Sequence, residues 1–379
     1  MATTVAEAIS TEEDDSGIDI TESLGSLNFE DALSDEEKQL VHLRKRSHAL
    51  TATACAQATY FVCILNEARQ IKNQLHNPVP MRASRRLLEE VTPRDAVRIS
   101  IIGCGRMGSH LTHSLLTFGE VNPSEIKIST RRPEMLTTLQ ESGVQCFHDN
   151  QRAASAAHLL FLCVLPSQLP DVAEDIRGHI SDGCIIYSMI AGVTLPRLQK
   201  LLDHTDIVKP HFTWPQDCSQ RRWCHQCEMT ATFADLAMVE KTCPLSLNKE
   251  EAVITTNVTF AEQMVYALVN MCTWLGLSRV ETIGVVNAVV LGHSHRKPVQ
   301  GKLNQQDITR MAGDDDKPFP KVNLSVIVDR ETPLTKNLVH NRTIRTAFVE
   351  HYCNIFKEYL DWKKKSLQQA KEQLHLTFE

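Results

Sequence analysis

Between residues 98 and 208, short apolar runs alternate with stretches of helical periodicity, and this alternation predicts most of the fold. Arg98–Ile102 reads as a buried strand and Met107–Phe118 as a helix. Glu125–Thr130 alternates polar and apolar positions as a second strand would, and Arg131–Ser142 returns to helical spacing before Gly143 stops it. Val144–Phe147 fits a short strand. His158–Val164 is a continuous apolar run of strand length. Pro166–His179 is helix-like, Cys184–Ile190 is strand-like, Thr194–Leu202 is helical, and Asp206–Val208 opens a last strand. Strands recur about every 20–30 residues with helices between them, the order that a doubly wound parallel sheet requires.

The flanks have a different pattern. Ser34, followed three residues on by Glu37, is a capping box that opens a helix over about Asp35–His76. The middle of that stretch, "ALTATACAQATYFVCILNEA", is rich in small and apolar residues, and Pro78 and Pro80 end it. Ala267–Gly292 is a second long apolar stretch with helical spacing, extensive enough to need a covering surface. The expected organisation is an acidic disordered tail over 1–34, a helical extension over 35–94 and a Rossmann-type α/β domain over 95–215. An irregular Cys-rich connection over 216–250 and a helical, dimerisation-type C-terminal domain over 251–379 complete it.

Composition narrows the functional classes. The 379 residues are 42% hydrophobic and 23% charged, with a net charge of −6. That is an ordinary globular balance, without the basic excess that nucleic-acid binding uses. No apolar run approaches the roughly 18–20 residues of a membrane span, and the acidic start resembles no secretory or transit segment. No Lys or Arg occurs from Met1 to Glu37, a one-signed composition typical of disorder. Twelve cysteines scattered through predicted core elements suit free thiols in a reducing compartment, so the expected location is cytoplasmic.

The chemistry sits where the first strand meets the first helix. Gly103-Cys104-Gly105-Arg106-Met107-Gly108 is a Gly-x-Gly-x-x-Gly turn in the strand–turn–helix context that gives this motif meaning. Gly103 permits the tight turn, Gly105 lets backbone N–H groups approach a pyrophosphate, and Gly108 lets helix and strand pack closely. At the end of the second strand, an NAD-type domain places an acid that bonds the ribose hydroxyls. Here the residues are Ser129-Thr130-Arg131-Arg132, with no acid before Glu134. Two guanidiniums suit a 2′-phosphate, and NADP(H) is the expected cofactor. A solvated helix start is the other role open to this arginine pair.

These residues resemble the pyrroline-5-carboxylate reductases and their NADP-dependent relatives. "ISIIGCGRMGSHLTHSLLTFG" is similar to that family's strand, glycine loop and helix. "FLCVLPSQLPDV" resembles its apolar strand ending in Val-Lys-Pro, and "IIYSMIAGVTLPRLQKLL" its Ile-Ser-x-x-Ala-Gly-Val block. The resemblance covers about residues 97–210. It implies that Gly103–Gly108, Thr130, Arg131, Arg132, Cys163, Val164, Leu165, Pro166, Ile190, Ala191 and Gly192 line an NADP site. It further implies hydride transfer to a small imine-type substrate, and a homodimer formed through the Ala267–Gly292 region.

Several blocks depart from the family. Val164-Leu165-Pro166 replaces Val-Lys-Pro, and Lys209–Pro215 ("KPHFTWP") stands where Asn-Thr-Pro is expected. Thr255–Phe260 replaces the Gly-Ser-Gly-Pro-Ala-Tyr block, and Ile308–Asp316 only echoes the Ser-Pro-Gly-Gly-Thr-Thr substrate loop. No catalytic residue is assigned; Thr309 is the one hydroxyl in that last neighbourhood. An NADP-binding protein without turnover, serving as a regulatory or scaffold partner, is the alternative function. A hydroxyacid dehydrogenase would place a Lys at the centre of the long helix, and none occurs between Lys249 and Lys297.

The remaining constellations are weaker. Cys224-x-x-Cys227 has the spacing of one zinc knuckle, with His211, Cys218, His225 and Cys243 nearby, but it lacks a matched second pair, so no metal is expected. His293 and His295 stand two apart without neighbouring acids, and Lys363–Lys365 lies on a charged C-terminal helix. Both patterns are common on solvated surfaces.

Overall fold

The structure is a computed structural model and describes residues 34–76, 94–215, 223, 229–293, 301–310, 313–327 and 332–377. The acidic tail, Cys218, Cys224, His225, Cys227 and His295 lie outside the described residues. By compactness the chain separates into residues 1–47 and residues 48–379; the elements discussed below lie in the second unit, which takes in α1 from His48 onward.

In chain order, the first elements are α1 (Asp35–His76), β1 (Ile99–Ile102), α2 (Arg106–Phe118), β2 (Ile126–Ser129), α3 (Thr137–Glu141), β3 (Gln145–Phe147) and α4 (Asn150–Ala156). Then come β4 (Leu159–Leu162), α5 (Leu169–Ile176), β5 (Ile185–Ser188), α6 (Leu195–Leu202), β6 (Ile207–Val208) and β7 (Phe212–Thr213). The rest comprises α7 (Met229–Ala234), α8 (Leu236–Thr242), β8 (Thr255–Thr256), α9 (Thr259–Trp274) and α10 (Arg279–Leu291). It ends with α11 (Gln305–Ile308), α12 (Leu324–Ile327), α13 (Pro333–His340) and α14 (Arg342–Thr377).

Strands β1 to β6 form one sheet in the order β3-β2-β1-β4-β5-β6, every pair parallel. This is the doubly wound order, with the reversal between β1 and β4. Alternate strand residues serve opposite faces, as period-2 geometry requires. Ile102, Leu160, Leu162, Ile186 and Ile207 pack against α4, α5 and α6. Ile101, Phe161, Tyr187 and Val208 pack on the other side, with α1, α2 and α9. The short strands β7 and β8 pair antiparallel outside this sheet.

Two expected helices are shorter in the structure. Of Arg131–Ser142, only a 3₁₀ turn at Pro133–Met135 and α3 are helical, because the residue before a proline is pushed out of the α region, and Arg132 lies outside it at φ −133° and ψ 72°. Of Pro166–His179, Pro166–Gln168 form a turn and the helix begins at Leu169. The apolar stretch Ala267–Gly292 is two helices, α9 and α10, broken near Gly276 at φ 78°. Within the Cys-rich connection, α7 and α8 are regular.

Helix α1 is a core element. It is the one helix among the described residues long and apolar enough to cross a membrane, yet 78% of its most apolar window is buried inside the protein. The run-length reading misses it because small and polar residues interrupt its apolar positions. Gln57 Nε2 donates to the Thr242 carbonyl at 2.8 Å and to Thr256 Oγ1 at 2.7 Å. Tyr60 stacks on Tyr352 with ring centroids 4.9 Å apart, and Asn66 Oδ1 accepts from the Val97 N–H at 2.9 Å. Every residue of α9 from Phe260 to Cys272 is buried within this single chain.

Candidate nucleotide-binding site

All six strands of the large sheet are parallel, so their C-terminal ends share one edge, where ligands of doubly wound folds bind. The residues predicted from sequence gather there from four strands. Gly103–Gly108 follow β1, Thr130–Arg132 follow β2, Cys163–Pro166 follow β4, and Ile190–Gly192 lie two residues past β5. Backbone bonds hold these exits in register. The Gly103 N–H donates to the Ser129 carbonyl at 2.9 Å, the Cys163 N–H to Ile102 and the Met189 N–H to Leu162. Beyond β2, the Thr130 N–H donates to the Phe147 carbonyl, and Ser129 Oγ donates to Asn150 Oδ1 at 2.8 Å.

The three glycines differ in what surrounds them. Gly103 has φ 91°, and a Cβ there would meet the Cys163 carbonyl oxygen and Val164 Cγ1, each at 2.8 Å. A Cβ on Gly108 would collide with the Gly103 carbonyl. A Cβ on Gly105 would meet nothing within 4 Å. The first and last glycines are therefore required by the fold, while the middle one faces open space that a ligand needs.

Electrostatics fit an anion at the same place. Gly105 is the N-cap of α2 and supplies no side-chain cap, and the first turn has no acid. The free N–H groups and the positive end of the helix dipole are therefore available to a pyrophosphate. His110, one turn into α2, is held below its ordinary pKa by burial, then by His113 and Arg106. Arg131 and Arg132 are exposed beyond β2, a position open to a ribose 2′-phosphate. The donor set and the open glycine thus fit a phosphorylated dinucleotide.

The thiols near the loop are not nucleophiles. Burial raises the Cys104 pKa, pushes Cys146 up to about 11 and Cys163 higher still. All three stay protonated at neutral pH. Among the described residues no group of three or more His, Cys, Asp or Glu is placed to hold a metal. His211 is exposed, Cys243 is buried, and Thr309 follows the single turn of α11.

Two features were not singled out from sequence. Lys209 directly follows β6 on the site edge; it is half-buried, and its N–H donates to Gln263 Oε1 at 3.2 Å. Its signal was its place in a strand-end block that departs from the family. Glu262, fully buried on α9, accepts from the hydroxyls of Thr332 and Thr335, and burial raises its pKa. No sequence motif marks it, because its partners lie some 70 residues downstream.

The comparisons with known proteins agree with this geometry. Residues 98–192 match the family model described as "NADP oxidoreductase coenzyme F420-dependent", so the cofactor of this domain is NADP(H). NADP-dependent oxidoreductase domain-containing protein 1 of Mus musculus is 29% identical over 348 residues, 89% of this chain and 94% of that protein. Pyrroline-5-carboxylate reductase 3 of Danio rerio is 34% identical over 106 residues, 28% of this chain and 37% of that protein. Among solved structures, Plasmodium falciparum pyrroline carboxylate reductase with NADP bound is 15% identical. It covers 69% of this chain and 98% of its own, with a TM-score of 0.27. The chain therefore carries an NADP-dependent oxidoreductase domain related to the pyrroline-5-carboxylate reductases, and over most of its length it is similar to NADP-dependent oxidoreductase domain-containing protein 1.

Proposed function

We propose that this protein is an NADPH-dependent reductase that delivers hydride to the C=N bond of a small imine. The observation that carries the reading is the edge itself: open space over Gly105, an uncapped helix N-terminus, and two exposed arginines after β2 in place of an acid. Similarity of the cofactor domain to reductases of a cyclic imine supports the choice of bond.

NADPH, when bound, would supply the hydride. The chain's residues then have positioning roles. Gly105 and the first turn of α2 hold the pyrophosphate, and Arg131 and Arg132 hold the 2′-phosphate. Cys163–Pro166 and Ile190–Gly192 frame the half of the edge beyond the strand reversal, where the nicotinamide ring would lie. Holding the ring and the imine carbon in contact converts a bimolecular encounter into a positioned one.

The test is oxidation of NADPH by the full chain with pyrroline-5-carboxylate and a panel of cyclic imines, alongside NADPH binding. Turnover of at least one imine is expected. Tight NADPH binding without turnover of any would overturn the reading and leave a nucleotide-binding regulatory protein.

A further inference from the structure

The nicotinamide half of the sheet edge has an unusual charge pattern. Three connections frame it: residues 163–168 after β4, 189–194 after β5 and 209–215 after β6. None of them contains Asp or Glu, and together they hold one Lys and one His. The opposite half, after β2, holds the arginines fitted to a phosphate. A cation beyond the reversal of strand order therefore faces a different chemical task.

Register places Lys209 within that half. Ile186 pairs with Ile207 and Tyr187 with Val208, so Lys209 falls level with Ser188, which itself pairs with Leu162 of β4. With strands about 4.8 Å apart, Lys209 is two strand spacings from the end of β4. Its backbone is fixed on both sides. The Lys209 N–H is bonded to Gln263 of α9, Pro210 follows, and the His211 carbonyl accepts from the Asn257 N–H at 3.0 Å. The ammonium makes no ion pair with any described carboxylate, although the side chain is half-buried. Desolvation is the one cause acting on its pKa, which is lowered. Half-burying a cation without a counter-charge is costly, and a resident anion would offset that cost.

The same connections carry exposed apolar side chains. Leu165 is 64% exposed and Trp214 is 40% exposed. One cation, no acid and two exposed apolar side chains on the same three connections suit a small anion with an apolar body.

We propose that Lys209 is the specificity-determining residue of the substrate site, its ammonium holding a carboxylate on the substrate at the end of β6. The proposal rests on the reading of this edge as the cofactor site, and not on the identity of the bond reduced.

The test uses the full chain saturated with NADP⁺ and two probes of one ring, tetrahydrofuran-2-carboxylate and tetrahydrofurfuryl alcohol, in calorimetric titrations. The wild-type chain is expected to favour the carboxylate by about tenfold or more. Lys209→Met should abolish that preference, leave the alcohol unchanged and leave NADP⁺ affinity unchanged within about twofold, while Lys209→Arg should restore most of the preference. A wild-type chain with no preference, a Met variant that weakens both probes equally, or one that keeps the preference would each overturn the proposal. Imine turnover is scored separately: carboxylate preference without turnover retires the proposed reaction and leaves Lys209 standing, and turnover without preference does the reverse.

Discussion

Gly108 sits directly over the Gly103 carbonyl oxygen, so that any side chain at 108 would occupy the same space as the backbone of the turn it follows. The contact welds the start of α2 to the end of β1. Gly108→Ala is expected to cost about 1–3 kcal/mol, read as a lower midpoint in urea. Gly105→Ala, which meets nothing in the protein, should leave that midpoint almost unchanged while weakening NADPH binding by about tenfold or more. Equal effects of the two variants on stability would contradict the division of roles between these glycines.

Arg131 and Arg132 follow β2 where an acid would exclude a 2′-phosphate. Replacing both by Ala should weaken NADPH by about 10–100-fold, the loss of two charge-assisted contacts, with NADH changed by less than about threefold. Fluorescence titration of the two cofactors measures the ratio directly, and an equal loss for both would remove these residues from the 2′-phosphate.

Gln57 joins α1 to α8 and to β8 through one amide group. Gln57→Leu leaves the Thr242 carbonyl and Thr256 hydroxyl without that donor in a dry environment, which costs about 1–3 kcal/mol. The burial of α9 against the chain's own elements has a second consequence. The resemblance implies a homodimer through the Ala267–Gly292 region, and the α9 part of that region is covered within the chain, while Trp274 and Val280 stay exposed. Sedimentation of the full chain at micromolar concentration reads the outcome: the mass of one chain is expected if the cover of α9 suffices, and the mass of two would keep the homodimer.

Glu67, Glu120 and Glu358 line one cleft beside α1 and α14, with Tyr359 and Trp362 on its rim. Burial, then Glu358 and Glu120, push the Glu67 pKa up to about 7. A carboxyl whose folded pKa lies above its unfolded value binds more protons in the folded state, so its contribution to stability falls as pH rises from about 4.5 to about 7. Because part of the side chain meets solvent, the gain from Glu67→Gln should be about 1 kcal/mol or less at pH 8 and close to zero at pH 4. Thermal unfolding at the two pH values reads the difference. A gain at pH 4 as large as that at pH 8 would exclude the charge on Glu67 as its cause.

Much of the cofactor half of this protein was legible along the chain because its signals are local. Strand runs, helix spacing and the glycine turn each occupy a few consecutive residues, and Ile99–Ile102 followed by Gly103–Gly108 would read the same in any context. The errors arose where a local rule was overruled nearby: Pro133 denied Arg131 and Arg132 a helix, and Gly276 split one apolar stretch into α9 and α10.

What the tertiary structure alone decided depends on residues far apart in sequence. Gln57 meets Thr242 and Thr256, Glu262 meets Thr332 and Thr335, and Lys209 is bonded to Gln263. None of these pairings has a sequence period, since each is set by how helices and strands pack once formed. The order of strands, the cofactor loop and the arginines at the end of β2 follow from the sequence itself. That α1 lies in the core, that α9 is covered by its own chain, and that Lys209 is half-buried with no ion pair to a described carboxylate follow from packing. Burial is shared among distant segments, and no segment specifies it by itself.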